Sequence, residues 1–369
     1  MSLAPSAVAT RSRGGFHPLT VAAVEPVAQD AVALSFKVPA ELRETFRYEA
    51  GQHLTLRTWV GGVEVRRTYS ICAPPSSGEL RIGVRRVPGG VLSEHIFEVV
   101  RPGVELEVME PAGRFTLPFD RAAERSYVAL AAGSGITPIL GLAAEALAAE
   151  PRSEVSIFYG NRTVETAMFL DDLADLKDRH PSRLQVLHVF SRQRQRAELN
   201  NGRLDGSKIR LLVERLLVDP RRVAAFMLCG PFPMIQEARA TLTALGVPEE
   251  RIRAELFFVE DEPPVRSAEE QLAMAQPGQA LVRARLNGRE VQFPMQRTDK
   301  IVDALAAVRP DAPFSCKGGV CGTCRARLVE GRVAMDHTYA LEEADRSEGY
   351  VLTCQSHPLT DFVLVDYDA

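Results

Sequence analysis

With 369 residues, 46% of them hydrophobic and 25% charged, the chain has the composition of a globular protein and the length for two or three domains, each with its own core. A formal net charge of −4 offers no basic surface for a phosphate backbone, so nucleic acid is excluded as an expected partner. No window approaches twenty apolar residues, so no membrane span is expected, and six cysteines in so long a chain fit a reducing cytoplasm better than a disulfide framework.

Residues 1–15, MSLAPSAVATRSRGG, lack the apolar core of a secretory signal and read as a disordered leader. Residues 16–120 are short alternating runs punctuated by Pro and Gly: LTVAAVEP, AVALSFKVP, HLTLRTWV, LRIGVRR and VELEVMEP. That pattern predicts a small antiparallel β-barrel. Two elements in it carry chemistry. In RRTYSI, Arg67 and Tyr69 alternate along an extended chain and share a face; a guanidinium fork suits a phosphate and a phenol ring stacks on a flat heterocycle. In PGGVLSEHIF, Gly89 and Gly90 precede a short helix expected to begin near Ser93, whose free N–H groups would make an anion site. On spacing alone, either element is equally an ordinary turn.

Between residues 121 and 260 strands alternate with helical stretches. SYVALAA is a buried strand, followed by the glycine turn and helix of GSGITPILGLAAEALAAE, with Thr137 expected as N-cap and Pro138 as the first helical residue. SEVSIFYGNR, LQVLHVFSR and VAAFMLCGPFPM are three further strands ending in polar or glycine-rich loops. The series predicts a parallel α/β sheet with ligands at the carboxyl ends of its strands. Gly133, Ser134 and Gly135 fall short of a full dinucleotide fingerprint because Pro138 takes the sixth position.

Residues 261–277, acidic and rich in Pro and Gln, read as a linker. From 278 to 369 the pattern is a hairpin about Asn287–Gly288, a helix in KIVDALAAV, and strand alternation in CRARLVEGRVAM. Within it Cys316, Cys321 and Cys324 are spaced C-x4-C-x2-C, and Cys354 follows. This is the plant-type [2Fe–2S] spacing, with Gly318, Gly319 and Gly322 letting a short loop wrap the inorganic core. Zinc and plain core thiols are the rivals; zinc sites commonly use two paired knuckles, and only one C-x2-C pair exists here. Cys72 and Cys229 lie outside the cluster, and burial is the default expectation for both.

The segments FHPLTVAAVEP, GQHLTLR, RRTYSI, AAGSGITPI, YGNRT and CKGGVC resemble the ferredoxin–NADP reductase superfamily in its form with a fused C-terminal plant-type ferredoxin of β-grasp fold. The resemblance covers about residues 16–369 and is closest to the reductase components of ring-1,2-phenylacetyl-CoA epoxidase systems. It implies FAD, one [2Fe–2S] cluster held by the four cysteines, and NADPH as substrate. Arg67, Thr68, Tyr69 and Ser70 then fall on the flavin element, with the tyrosine stacked on the flavin and the arginine at its diphosphate. His53 and Arg85 fall near the cofactor, and Gly90, Val91, Leu92 and Ser93 on the diphosphate-binding helix start. His53 reads equally as a hydrogen-bonded strand residue. Gly133, Ser134, Gly135, Thr137 and Pro138 match the nicotinamide-nucleotide loop, and Cys229, Gly230 and Pro231 the strand end approaching the nicotinamide. Glu255 and Phe257 match an acidic–aromatic domain terminus. Tyr69, Ser70, Cys229 and Glu255 are thereby the residues expected closest to hydride transfer. Arg162, Ser191 and Arg192, at carboxyl ends of strands, are expected around a 2′-phosphate, the plainer alternative being that both arginines are solvated loop residues.

A nicotinamide delivers two electrons together and a [2Fe–2S] cluster takes one at a time, so the implied path runs from NADPH through FAD to the cluster and on to an oxygenase. The resemblance makes that partner the di-iron oxygenase subunits of the epoxidase complex. The acidic stretch DHTYALEEADRSE is expected to face it. The reductase of another multicomponent oxygenase, and a redox sensor without turnover, are the alternatives.

Overall fold

The structure, a computed structural model, describes residues 15–216, 219–257, 267–276 and 278–369. The expected leader, but for Gly15, and residues 261–266 and 277 of the expected linker lie outside the described residues. The chain divides into two compact units between residues 260 and 261.

The first unit opens with six strands: β1 (Phe16–Ala28), β2 (Ala31–Lys37), β3 (His53–Val60), β4 (Val63–Ser70), β5 (Leu80–Arg85) and β6 (Glu105–Met109). Every neighbouring pair is antiparallel, in the order β4-β3-β6-β1-β2-β5. Period-two alternation sends Leu19, Leu34, Leu54, Leu56, Ile82 and Val108 to one buried cluster. Ile71, just past one edge strand, makes an isolated antiparallel bridge to Ile82 in the other. Helix α1 (Val91–Val99) lies between β5 and β6 in the chain. It begins two residues before the expected Ser93, because Gly90 supplies the N-cap and the Ser93 hydroxyl is used inside the first turn, donating to the Gly90 carbonyl at 3.1 Å.

Five parallel strands follow: β7 (Ser126–Ala132), β8 (Glu154–Asn161), β9 (Leu184–Phe190), β10 (Ala225–Gly230) and β11 (Ile252–Leu256), in the order β11-β10-β7-β8-β9. The chain builds outward from β7 in one direction, then restarts on its other side, so the β7/β10 boundary is the switch point where such sheets open a crevice. Helices α2 (Ile136–Ala149) and α3 (Leu170–Arg179) share one core with Tyr127, Ala129 and Ile157. Helices α4 (Gly206–Leu216) and α5 (Phe232–Ala244) share the other with Val128, Leu130 and Phe226. The first of these cores also takes Ala31, Ala33, Cys72 and Phe115 from the antiparallel part, which joins the two sheets into one unit. Helix α2 starts at Ile136, one residue before the expected cap: the turn Gly133–Gly135 runs straight into it, and Thr137 donates its hydroxyl to the Ser134 carbonyl at 2.9 Å instead of capping.

In the second unit, α6 (Ala268–Met274) falls inside the stretch read as linker, begun by a Ser267/Glu270 capping box. A mixed sheet follows, of β12 (Gln279–Leu286), β13 (Arg289–Gln296), β14 (Arg325–Glu330), β16 (Tyr350–Leu352) and β18 (Phe362–Asp366), while β15 (Val333–Met335) pairs with β17 (Ser356–Pro358). The mixed sheet is ordered β13-β12-β18-β14-β16, with only β12 and β18 parallel. Asn287 (φ 55°) and Gly288 (φ 68°) form the expected two-residue hairpin turn, left-handed at both positions. Helix α7 (Ile301–Val308) buries Ile301, Val302 and Leu305 against the sheet, and the short α8 (Glu343–Ser347) precedes β16. No described helix is long and apolar enough to cross a membrane.

Candidate redox sites

Strands β3, β4 and β11 bring three of the predicted residues together. The Ser70 hydroxyl donates to Glu255 Oε2 at 2.9 Å, and His53 Nδ1 lies 3.6 Å from Glu255 Oε1. His53 and Ser70 are cross-strand partners, and the backbone of His53 exchanges both hydrogen bonds with Ala112. The imidazole has this place because residue 113 is glycine: a Cβ there would come within 2.9 Å of Nδ1. His53 is buried, and its Nε2 has no hydrogen-bond partner among the described residues.

Cys229 stands beside Glu255 in the β10/β11 register, its thiol pushed well up by burial and, less, by the Glu255 carboxylate. The glycine turn after β7 presses on the same point. A Cβ on Gly135 would lie 2.1 Å from the Cys229 carbonyl, so only glycine lets the start of α2 approach β10. Gly133 has φ 57°, and its carbonyl accepts from the buried Tyr159 hydroxyl at 3.0 Å, an anchor that no local pattern in the sequence announces. Gly230 is likewise crowded, with Ala132 Cβ 3.1 Å from where its own Cβ would be, and Pro231 is the N-cap of α5.

Arg67 and Tyr69 do share a face of β4. Tyr69 is half-buried against the core of the antiparallel sheet, and burial pushes its hydroxyl pKa up. Arg67 is exposed, donates to the Arg66 carbonyl at 2.7 Å and pairs with no carboxylate among the described residues. Thr68 points to the other face, with Ser70. Arg85 is not left open in this way: it pairs with Asp30 at 3.3 Å and donates to the Thr166 carbonyl at 2.6 Å, a strut between the two sheets. Gly90, Val91, Leu92 and Ser93 form the first turn of α1 and its cap, with Ser93 Oγ also accepting from Val87 N at 3.1 Å.

Arg162, Ser191 and Arg192 come together where β8 and β9 end. Ser191 N donates to Asn161 O and Arg192 N to Arg162 O, both at 2.9 Å, and all three side chains are exposed. Neither arginine has a carboxylate partner among the described residues, and the same is true of Arg194 and Arg196. Their alternation in SRQRQR was the available signal for two more cationic groups at this edge.

In the second unit the four predicted cysteines converge as two pairs, Cys316 with Cys321 and Cys324 with Cys354, none in a disulfide. Cys316 is pushed down to about 5, first by a hydrogen bond from the Cys321 thiol and further by the N–H groups of Cys321, Val320 and Gly318, against the effect of burial. Cys354 is lowered by the Cys324 thiol, the Gln355 amide and the Gly319 N–H. Cys321 and Cys324, the donors of the two pairs, are pushed up in turn, Cys321 by its hydrogen bond to Cys316 and Cys324 by its hydrogen bond to Cys354. Gly319 (φ 77°) and Gly322 (φ 69°) use their left-handed freedom, whereas Gly318 does not and Lys317 (φ 51°) does. Among the described residues no three acidic, His or Cys groups converge as for a single metal ion. Cys316, Cys321, Cys324 and Cys354 would hold a [2Fe–2S] cluster. Of the other histidines near this loop, His337 stacks on Tyr339, and His357 meets the Asp336 carboxylate at 3.1 Å.

Three domain families match in series: the oxidoreductase FAD-binding domain over residues 18–117, the oxidoreductase NAD-binding domain over 129–240, and the 2Fe-2S iron-sulfur cluster binding domain over 284–359. The chain is 41% identical over 355 residues to a subunit of the 1,2-phenylacetyl-CoA epoxidase from Escherichia coli K12, a match covering 96% of this chain and 98% of that one. The chain belongs to the ferredoxin–NADP reductase superfamily, with a fused [2Fe–2S] ferredoxin. A second relative within this superfamily is the ferredoxin reductase component of 3-ketosteroid-9-alpha-monooxygenase from Rhodococcus rhodochrous, 31% identical over 95% of this chain and 96% of that one. Among solved structures, phthalate dioxygenase reductase shares the fold, with a TM-score of 0.59 and 23% identity over 95% of this chain and 98% of that one. As a member of the superfamily, the protein is an NAD(P)H-dependent oxidoreductase that binds FAD and carries a [2Fe–2S] cluster.

Proposed function

We propose that this protein is the NADPH-oxidising reductase component of a phenylacetyl-CoA 1,2-epoxidase and supplies electrons to its di-iron oxygenase subunits in the cytoplasm. The observation that carries the reading is the 41% identity to a component of such an epoxidase across 98% of that component's length. In this reading residues 16–120 are the flavin domain, a β-barrel for which the Ile71–Ile82 bridge is support, residues 121–260 the nucleotide domain, and 278–369 a β-grasp ferredoxin.

The residues present fit the flavin nucleotide. Arg67, which has no carboxylate partner among the described residues, and the first-turn N–H groups of α1 at Val91–Ser93, behind the Gly90 cap, would take the diphosphate. The Tyr69 ring would lie on the isoalloxazine, and the buried His53 Nε2, which has no partner among the described residues, would meet its polar edge. When bound, FAD takes the two electrons of the nicotinamide together and passes them on singly. Ser70 and Glu255, hydrogen-bonded to each other beside Cys229, orient the nicotinamide and carry the nearest exchangeable proton at Ser70 Oγ. Gly133, Ser134, Gly135, Thr137, Pro138, Gly230 and Pro231 shape the cleft for the dinucleotide, and Arg162, Ser191 and Arg192 select its 2′-phosphate. Arg85 contributes as the strut to Asp30 and Thr166 that keeps the two sheets in register.

The relatives that are reductase components of a ketosteroid monooxygenase favour a second reading, service to a different oxygenase. Reconstitution decides between them. The purified protein is mixed with the di-iron subunits of a phenylacetyl-CoA epoxidase, and NADPH oxidation, oxygen uptake and epoxide formation are followed with and without phenylacetyl-CoA. Substrate-dependent, coupled turnover is expected. NADPH-driven reduction of ferricyanide without any epoxide would leave the reductase and overturn the epoxidase assignment.

A further inference from the structure

Gln355 follows the fourth cysteine and is 1% exposed. Its side-chain nitrogen lies 2.9 Å from the Lys317 carbonyl, 2.8 Å from the Cys354 carbonyl and 3.4 Å from Cys354 Sγ. All three are acceptors, so the nitrogen of the carboxamide, not its oxygen, must face them. With two hydrogens for three acceptors, one N–H serves Lys317 and the other is shared by the carbonyl and sulfur of Cys354. The residue is held from both sides: its N–H donates to Leu352 O at 2.8 Å, and its carbonyl accepts from Asp336 N at 2.9 Å. The cysteine loop rests on it directly, since a Cβ on Gly319 would come within 3.0 Å of Gln355 Cγ. Lys317, whose carbonyl it engages, has the left-handed φ of 51° that turns the loop.

We propose that Gln355 is a positioning residue for the cluster, which fastens the loop of Cys316, Cys321 and Cys324 to the strand end carrying Cys354 and raises the cluster's reduction potential. An N–H directed at a ligand sulfur stabilises the more negative, reduced cluster more than the oxidised one. Its loss therefore moves the potential down and returns electron density to the flavin. The inference rests on the [2Fe–2S] centre and holds whichever oxygenase receives the electrons.

The test is a redox titration of the holoenzyme, read by EPR of the reduced cluster, for the parent and for Gln355→Met. Methionine keeps the reach and the apolar fit but has no N–H. The variant is expected to hold its iron while the one-electron equilibrium between flavin and cluster shifts about tenfold towards the flavin, about 59 mV. A shift below about threefold in a variant with full iron overturns the proposal. Should the variant lose iron, the decision passes to the parent holoenzyme grown with glutamine labelled with nitrogen-15 at the side-chain amide. Pulsed EPR of its reduced cluster is expected to show a coupled side-chain nitrogen, and absence of that coupling overturns the proposal.

Discussion

Ser70 and Glu255 are 185 positions apart and share a hydrogen bond of 2.9 Å, so the chemistry of this site is decided by single contacts between distant strands. Gly135 is the clearest of these, because its missing side chain is what admits the nucleotide loop to Cys229. Gly135→Ala forces a Cβ to 2.1 Å from a backbone carbonyl that cannot rotate away. Loss of about 1–3 kcal/mol in urea unfolding is expected, together with weaker NADP⁺ binding by calorimetry; unchanged binding would mean the loop does not hold the nucleotide. At the other end of the cleft, Arg162→Ala/Arg192→Ala removes two exposed cations with no carboxylate partner among the described residues. A charged hydrogen bond contributes about 1.5–3 kcal/mol, so KM for NADPH should rise roughly 10- to 100-fold while KM for NADH changes little. Equal changes for both would remove the 2′-phosphate assignment.

Among the elements, the cysteine loop and β14 form a module whose loss need not reach the flavin side. Cys324 is buried in the core of the second unit with Phe293, Leu305 and Leu352, whereas the first unit has cores of its own. In Cys324→Ser a hard hydroxyl replaces a soft thiolate, and the cluster should be lost. FAD content and ferricyanide reduction are expected to persist, and cytochrome c reduction to collapse. Loss of both activities with FAD still bound would show that the two units do not act in that order. The strands were legible because alternation is written locally, whereas the starts of α1 and α2 each moved by two residues, because Gly90 and Gly135, not the serine or threonine downstream, took the capping positions.

Across the whole molecule, docking of an electron acceptor is where the sequence pattern needed correction. The acidic stretch holds Asp336, Glu342, Glu343, Asp345 and Glu348, but two of these are interior. Asp345 is buried, pairs with Arg325 at 3.3 Å and accepts from Glu342 N, while Asp336 is held by Lys300 and His357. Neutralising Asp345 would therefore damage α8 rather than probe a surface. Glu343→Gln/Glu348→Gln tests the exposed acids alone. Reduction of the oxygenase is expected to slow several-fold at low salt and to lose part of its salt dependence, with ferricyanide reduction unchanged. An unaltered rate and salt response would place docking elsewhere.

The sequence by itself determined the composition of the machine. Strand and helix periods and the C-x4-C-x2-C spacing are local patterns that specify the modules and the cluster, whereas the RRTYSI and AAGSGITPI segments pointed to a flavin and a nicotinamide nucleotide through the family resemblance they carry. Only the tertiary structure decided what each side chain does. It joined His53, Ser70, Cys229 and Glu255 from four strands, paired Arg85 with Asp30, buried Asp345, and turned Gln355 onto the cluster loop. Burial and hydrogen-bond partners depend on residues far away in the chain, and no spacing rule within one segment contains them.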